Sequence, residues 1–285
     1  MSNQQLVHLG DRFVPAAEAS LSVDDRGFLY GDGLFETMRV RAGHVPFWRE
    51  HVERLVEGAM LLRLRLPWST DDLRERAASL LAANGVRDGL LRVQVTRGPG
   101  RRGYSPKGAD RPTGLLTTHR LALPVELAPM RVVVIASPAV WSGSPLNRVK
   151  HSSKLAHVLA RAEADDRMAD EALLLNERGE VVEASAANLF WISDDHLLTP
   201  PLASGALPGI TRRTVIRAAR ALDLPVGEPP CTPGALREAT GIFLTNSARG
   251  LVELGRLDGR EVARSDLVGR LRAAWEKRLM EEGAP

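Results

Sequence analysis

The stretch EALLLNERGEVVEASAANLFW, Glu171–Trp191, sets two short apolar runs on either side of a polar turn, NERGE. Runs this short, rich in Leu and Val and bounded by glycine and charge, read as strands rather than helices. The piece is therefore a strand, a turn and a second strand. On either side lie longer segments of helical period: KLAHVLARAEADDRM, Lys154–Met168, before it, and PGITRRTVIRAARALDL, entered through Pro208 and Gly209, after it. Strands interleaved with amphipathic helices predict a mixed α/β fold.

Working outward, RVVVIAS reads as a strand, TGIFLTNSARGLVELG as a strand running into a turn, and SDLVGRLRAAWEKRLMEEG as a C-terminal amphipathic helix. In the first half, LFETMRVRAGHVPF reads as two strands around the turn RAGH. WREHVERLVEGAMLLRLRL carries Val52, Leu55, Val56, Ala59 and Leu62 at helical spacing. STDDLRERAASLLAANG predicts a helix capped by Ser69 and closed at Gly85. GLLRVQVTRG and TGLLTTHRLAL read as a strand pair around the basic loop RGPGRRGYSPKGADRP. LALPVELAPM, Leu121–Met130, has prolines and no helical period, and predicts a linker at 121–130 between an N-terminal domain, 1–120, and a C-terminal one, 131–285.

The chain has 285 residues, enough for two modest domains, and its 44% apolar and 26% charged residues are ordinary globular values. The 38 basic residues face 35 acidic ones, and a net charge of +3 is too small to argue for nucleic acid. The single cysteine, Cys231 in PPCTPG, rules out an intrachain disulfide and reads as a small loop residue; no metal site is expected. The N-terminus lacks the basic start and apolar run of a signal peptide, and no segment approaches the ~20 apolar residues of a membrane span. The expectation is a cytoplasmic protein with no membrane contact.

Several residues are open to a chemical reading. In LPGITRR a glycine precedes a helix and Thr211 follows; helix-start amides make an anion cradle, although an ordinary cap has the same look. Thr245, Asn246 and Ser247 end an apolar strand, where α/β proteins place ligands and where turns also fall. The loop residues Arg97, Arg101, Arg102 and Lys107, interleaved with Tyr104, read either as a solvated hairpin or as a carboxylate trap. Arg54, four residues after Glu50, reads by default as a surface helix pair. Lys150 and Lys154 open a helix; most lysines are solvated, but one of lowered pKa is a Schiff-base nucleophile. Glu183 interrupts an apolar strand as an outward-facing hairpin residue would, and spacing alone promotes neither Lys150 nor Glu183.

Taken together, the chain resembles the fold-type-IV pyridoxal 5′-phosphate enzymes, a family that includes branched-chain and D-amino-acid aminotransferases and 4-amino-4-deoxychorismate lyase. The resemblance runs in order through RGFLYGDGLFET, EHVERL, TRGPGRRGYS, VKHSSKLAHVLARAEA, EALLLNERGEVVEASAANLFW, TPPLASGALPGITRR and FLTNSARGLVEL. It implies a smaller N-terminal α/β domain, a larger C-terminal domain with a pseudo-barrel of strands and helices, and a homodimer with its pocket between domains. It also implies that Lys150 forms the cofactor's Schiff base, that Glu183 holds the pyridine nitrogen protonated, and that Arg54, Ile210, Thr211 and Ser247 bind the phosphate. GDGLFET, GRRGYS and LTNSARG look most like the lyase branch, in which Thr37 would assist proton delivery and Arg97, Arg102, Tyr104 and Asn246 would line the side of a small amino substrate bearing carboxylate. One departure stands out: where the family often has Asn after its lysine, this chain has Ser152, Ser153 and Lys154. A transaminase of D-amino acids or (R)-amines, less so of branched-chain amino acids, shares the first chemical step; a non-enzymatic anion binder is the alternative of another class.

Overall fold

The computed structural model describes residues 5–121 and 127–282, so half of the linker expected at 121–130, residues 122–126, lies outside the described residues. The chain forms two compact units. One holds the described residues of Met1–Ala122 with Val149–Ser153 and Glu282; the other holds those of Leu123–Arg148 and Lys154–Glu281.

The first unit is built on an antiparallel sheet of β1 (Leu6–Leu9), β2 (Arg12–Pro15), β3 (Gly33–Val40), β4 (Gly89–Thr96) and β5 (Thr113–Arg120), in the order β2-β1-β5-β4-β3. A short helix, α1 (Arg26–Tyr30), precedes β3. Two longer ones, α2 (Trp48–Leu61) and α3 (Thr70–Ala83), bury Val52, Leu55, Ala59, Leu73, Ala77 and Leu80 against Leu34, Met38, Leu91 and Val93. The cap expected at Ser69 forms a full capping box with Asp72, a feature that contributes on the order of 1 kcal/mol. The second strand expected after RAGH does not form. Past an isolated bridge between Arg41 and His44 the chain meets Pro46, which has no N–H to give a ladder, and Phe47 turns left-handed (φ 56°) to enter α2.

The second unit carries the larger, curled sheet. Its strands are β6 (Met130–Val140), β7 (Glu171–Asn176), β8 (Val181–Ala184), β9 (Asn188–Ser193), β10 (His196–Leu198), β11 (Val226–Gly227), β12 (Gly241–Asn246), β13 (Gly250–Leu257) and β14 (Arg260–Glu261), in the order β11-β10-β9-β12-β13-β6-β7-β8, with β14 on β13. Parallel neighbours need a long crossover, and α4 (Leu155–Asp166) lies between β6 and β7 in the chain. Its Ala160 and Ala164 are small enough to sit directly on Val133, Ile135, Ala172 and Leu174. The other helices are α5 (Ile210–Ala221), α6 (Pro233–Glu238) and α7 (Asp266–Glu282), the last buried along Val268, Leu271, Trp275 and Leu279. The opening stretch differs from its expectation in one respect. What reads as one strand after NERGE is two, because the chain breaks at Ser185: β8 stays on β7, whereas β9 leaves to pair with β12. That break places Glu183 and Asn188 at the ends of two strands.

Candidate active site

In the first unit the segment after Val149 adds itself to the free edge of β3. Phe35 N–H donates to the Lys150 carbonyl at 3.0 Å and Ser152 N–H to that of Gly33 at 2.8 Å, with His151 bridged to Leu34. Alternation along this short edge sends Val149 into the core and Lys150 to the opposite face. There the Lys150 ammonium lies 4.6 Å from the Phe35 ring centroid, and the Arg92 guanidinium lies 4.1 Å from the same ring. Thr37 stands directly opposite Arg92 in the β3–β4 register, so Phe35, Thr37, Arg39, Arg92 and Gln94 share this face. Burial works against the charge of both arginines, lowering their pKa, and the charge of Arg41 adds to it at Arg39. A face of this kind suits an anion, above all a carboxylate that a guanidinium grips in bidentate fashion. Composition drew attention to the loop arginines, and nothing in the spacing singled out Arg39 and Arg92.

The other face of β3 holds a closed ionic cluster. Glu36 is fully buried; its Oε1 accepts from Arg54 Nε and its Oε2 from Arg54 Nη2, each at 2.7 Å, and Oε2 also meets His51 Nδ1 at 2.7 Å. Burial pushes the Glu36 carboxyl up, but the charge of Arg54 and the His51 and Arg54 hydrogen bonds outweigh it and hold the group down to about 2. Burial pushes His51 the other way, below its usual value, against the pull of Glu36. Arg54 is thus not the surface residue its helix spacing suggests. It lies 8% exposed, turned onto Glu36 across β3 from the face of Lys150.

The basic loop divides. Arg97, expected in a carboxylate trap, is committed inside the unit: Nε and Nη2 hold Asp32 at 2.7 and 3.0 Å, while Nη1 and Nη2 donate to the Arg63 and Leu62 carbonyls at 2.8 and 2.9 Å. That trap is therefore not assigned to Arg97. Arg102 and Tyr104 are exposed, and the loop is tied back by Arg26, which donates to the Gly103 and Tyr104 carbonyls.

In the second unit the remaining residues gather around Asn188. Glu183 is 8% exposed, not outward-facing; its Oε2 accepts from Leu207 N–H at 3.0 Å and from Asn188 Nδ2 at 3.3 Å, and its Oε1 lies 3.6 Å from His157 Nε2. Asn188 Nδ2 also donates to the Leu207 carbonyl at 2.9 Å. A side chain at position 209 would collide with the Asn188 amide oxygen, so Gly209 lets α5 begin against it. No side chain caps that start, where Ile210 and Thr211 are both buried, so its first amides have neither an intrahelical partner nor a side-chain cap, the condition in which a helix start can take an anion. Across the ladder from Asn188 stands Thr245, whose buried hydroxyl has no hydrogen-bond partner. Asn246 and Ser247 follow, half-buried, with Asn246 Oδ1 accepting from the Ala248 and Arg249 amides at 3.1 and 2.9 Å. Asn188 and His157 were not singled out in the sequence. The available signal was a polar residue opening an otherwise apolar strand and a ring on a helix of small residues.

Cys231 is buried, and burial pushes its thiol up to about 12, which removes it as a nucleophile. Among the described residues no cluster of three His, Cys, Asp or Glu could hold a metal, and no helix is long and apolar enough to cross a membrane.

Residues 33–256 match the family model for class IV amino-transferases. The chain is 33% identical over 258 residues to a putative branched-chain-amino-acid aminotransferase of Methanocaldococcus jannaschii, covering 90% of this chain and 89% of that one. It is 30% identical over 266 residues to a D-alanine aminotransferase of Listeria monocytogenes, with 90% and 89% covered. Among solved structures it is similar to a putative 4-amino-4-deoxychorismate lyase from Legionella pneumophila, with a TM-score of 0.85, 29% identity, and 92% and 97% of the two chains covered.

Proposed function

The chain belongs to the class IV aminotransferase family, whose enzymes use pyridoxal 5′-phosphate, and from that premise we propose that it is a 4-amino-4-deoxychorismate lyase releasing pyruvate and 4-aminobenzoate. The observation that carries the cofactor is Glu183, a nearly buried carboxylate with one oxygen tied by Leu207 and Asn188 and the other turned away from them. Such a carboxylate matches a protonated ring nitrogen. In the same unit, the uncapped start of α5 and the orphaned Thr245 hydroxyl match a phosphate that needs donors. In the first unit, Lys150 supplies the amine. The residues fit the group: Glu183 would hold the ring nitrogen and Ile210, Thr211 and Ser247 the phosphate, while the phosphate role that the resemblance gives Arg54 remains a proposal beside its pairing with Glu36.

Bound there, the cofactor supplies an electron sink for the bond broken at the amine-bearing carbon. Lys150 would be the base that takes the proton from that carbon. Glu183 keeps its proton-holding partner charged in a site where burial would discharge it. Thr37, beside Arg92, would relay to the departing enolpyruvyl group the proton that Lys150 has taken, while Arg39 and Arg92 hold substrate carboxylates. The proton removed from the ring carbon equals the proton that pyruvate gains, so the reaction consumes neither water nor an acceptor.

A second reading, a transaminase of D-amino acids, (R)-amines or branched-chain amino acids, is favoured by the aminotransferase names of the relatives at 33% and 30% identity. One assay separates the two. Aminodeoxychorismate supplied without any keto acid should yield 4-aminobenzoate and pyruvate in equal amounts; inertness there, together with amino transfer from D-alanine, an (R)-amine or leucine to 2-oxoglutarate, supports the transaminase instead. A cytoplasmic homodimer belongs to the same proposal, with the exposed Arg102 and Tyr104, and with Asn246, as substrate-side residues.

A further inference from the structure

Glu183 is anchored through one oxygen. Its Oε2 accepts from the Leu207 amide at 3.0 Å and the Asn188 side chain at 3.3 Å, whereas Oε1 faces His157 Nε2 at 3.6 Å, just beyond hydrogen-bond length. His157 lies in the second unit on α4, and its side chain is 18% exposed. Its other ring nitrogen, Nδ1, is buried and has no hydrogen-bond partner. These facts constrain the ring. A carboxylate only accepts, so the nitrogen facing it carries a proton, and a second proton on Nδ1 would bury an N–H with no acceptor, at a cost of about 1–3 kcal/mol.

We infer that His157 is a positioning residue for Glu183: as the neutral tautomer with its proton on Nε2, it aims the carboxylate oxygen that Leu207 and Asn188 leave unanchored. The inference deepens the function proposed above and rests on it for the role of Glu183. Asn188 locks one oxygen and His157 orients the other without closing on it, so Oε1 remains able to turn to a ring nitrogen. A charged imidazolium would compete with that nitrogen for Glu183. The neutral tautomer steers without competing, and a carboxamide N–H at the same place would do so too.

Two measurements test this. In the ligand-free protein with nitrogen-15-labelled histidine, the His157 ring near neutral pH should show protonated Nε2 and bare Nδ1; the opposite tautomer or an imidazolium overturns the inference, whatever the cofactor does. The second is titration with pyridoxamine 5′-phosphate, which forms no bond to Lys150 and so reports the ring contacts. His157→Leu should weaken binding about tenfold, whereas His157→Asn should stay within about threefold of wild type, as expected for a hydrogen-bonding orienter of a ligand group. Wild-type affinity in His157→Leu overturns the role of His157, as does equal loss in both variants. If wild type itself binds no pyridoxamine phosphate, the cofactor reading fails, and with it this role for Glu183.

Discussion

Glu36 and Glu183 are both buried glutamates with a histidine beside them, and they differ in how completely they are satisfied. Glu36 has Arg54 across both oxygens and His51 on one, three contacts at 2.7 Å, and its charge is neutralised within its own unit. Glu183 has only uncharged donors on Oε2 and a ring 3.6 Å from Oε1. Burying a carboxylate without a cation is costly. A carboxylate left in that condition is poised for a charged ligand, and one whose needs are met inside the fold serves the fold.

This contrast breaks most readily through substitution. The largest effect belongs to Lys150→Ala, which should reduce turnover at least about 1,000-fold and remove the cofactor's yellow absorbance while leaving the melting temperature near wild type. Next come the two glutamates in parallel. Glu36→Gln strands the buried Arg54 charge and should cost about 3–5 kcal/mol of stability by denaturant titration. Glu183→Gln should fold as wild type does and lose activity by about 100-fold or more. If the two variants behave alike, the distinction between them is wrong.

Acid should separate them as well. Glu36 is depressed from 4.5 to about 2 on folding, so its contribution, on the order of 3 kcal/mol, is complete above its unfolded value and is lost as pH falls through 4.5 toward 2. His51 is lowered too, so the unfolded state takes up its proton first and stability already begins to fall below about pH 6.5. Chemical denaturation against pH should show both losses in wild type, and Glu36→Gln should shrink the lower one, leaving the part that comes from other carboxylates held low by arginines, such as Asp32.

A smaller effect distinguishes two arginines near β4. Arg92→Ala should raise KM about tenfold for a dicarboxylate substrate with little change in stability, whereas Arg97→Ala should destabilise by about 2–3 kcal/mol through its lost bonds to Asp32, Leu62 and Arg63. The smallest is Ser69→Ala, about 1 kcal/mol in the melting curve with unaltered kinetics.

Local patterns made most of the elements legible. Ser69 announced its helix because a cap, its box partner Asp72 and the apolar spacing lie within one turn. The break at Ser185 was not legible, because β8 and β9 are separated by partners, β7 and β12, that only tertiary pairing supplies. The same holds at the site. Lys150, Glu183 and Thr211 sit in ordered motifs, so resemblance proposes them. Arg54 looked like a surface helix residue because its true partner, Glu36, is 18 residues away on another element. His157, Arg39 and Arg92 owe their interest to burial and to a neighbour across a strand or helix, which spacing along one chain does not encode.

Borohydride reduction of the pyridoxal phosphate-loaded protein, followed by peptide mass mapping, asks whether Lys150 is the amine that captures the cofactor. A single phosphopyridoxyl group should appear on the Lys150 side chain and none in Lys150→Ala. Modification at another lysine, Lys154 included, or no fixation at all would contradict that assignment.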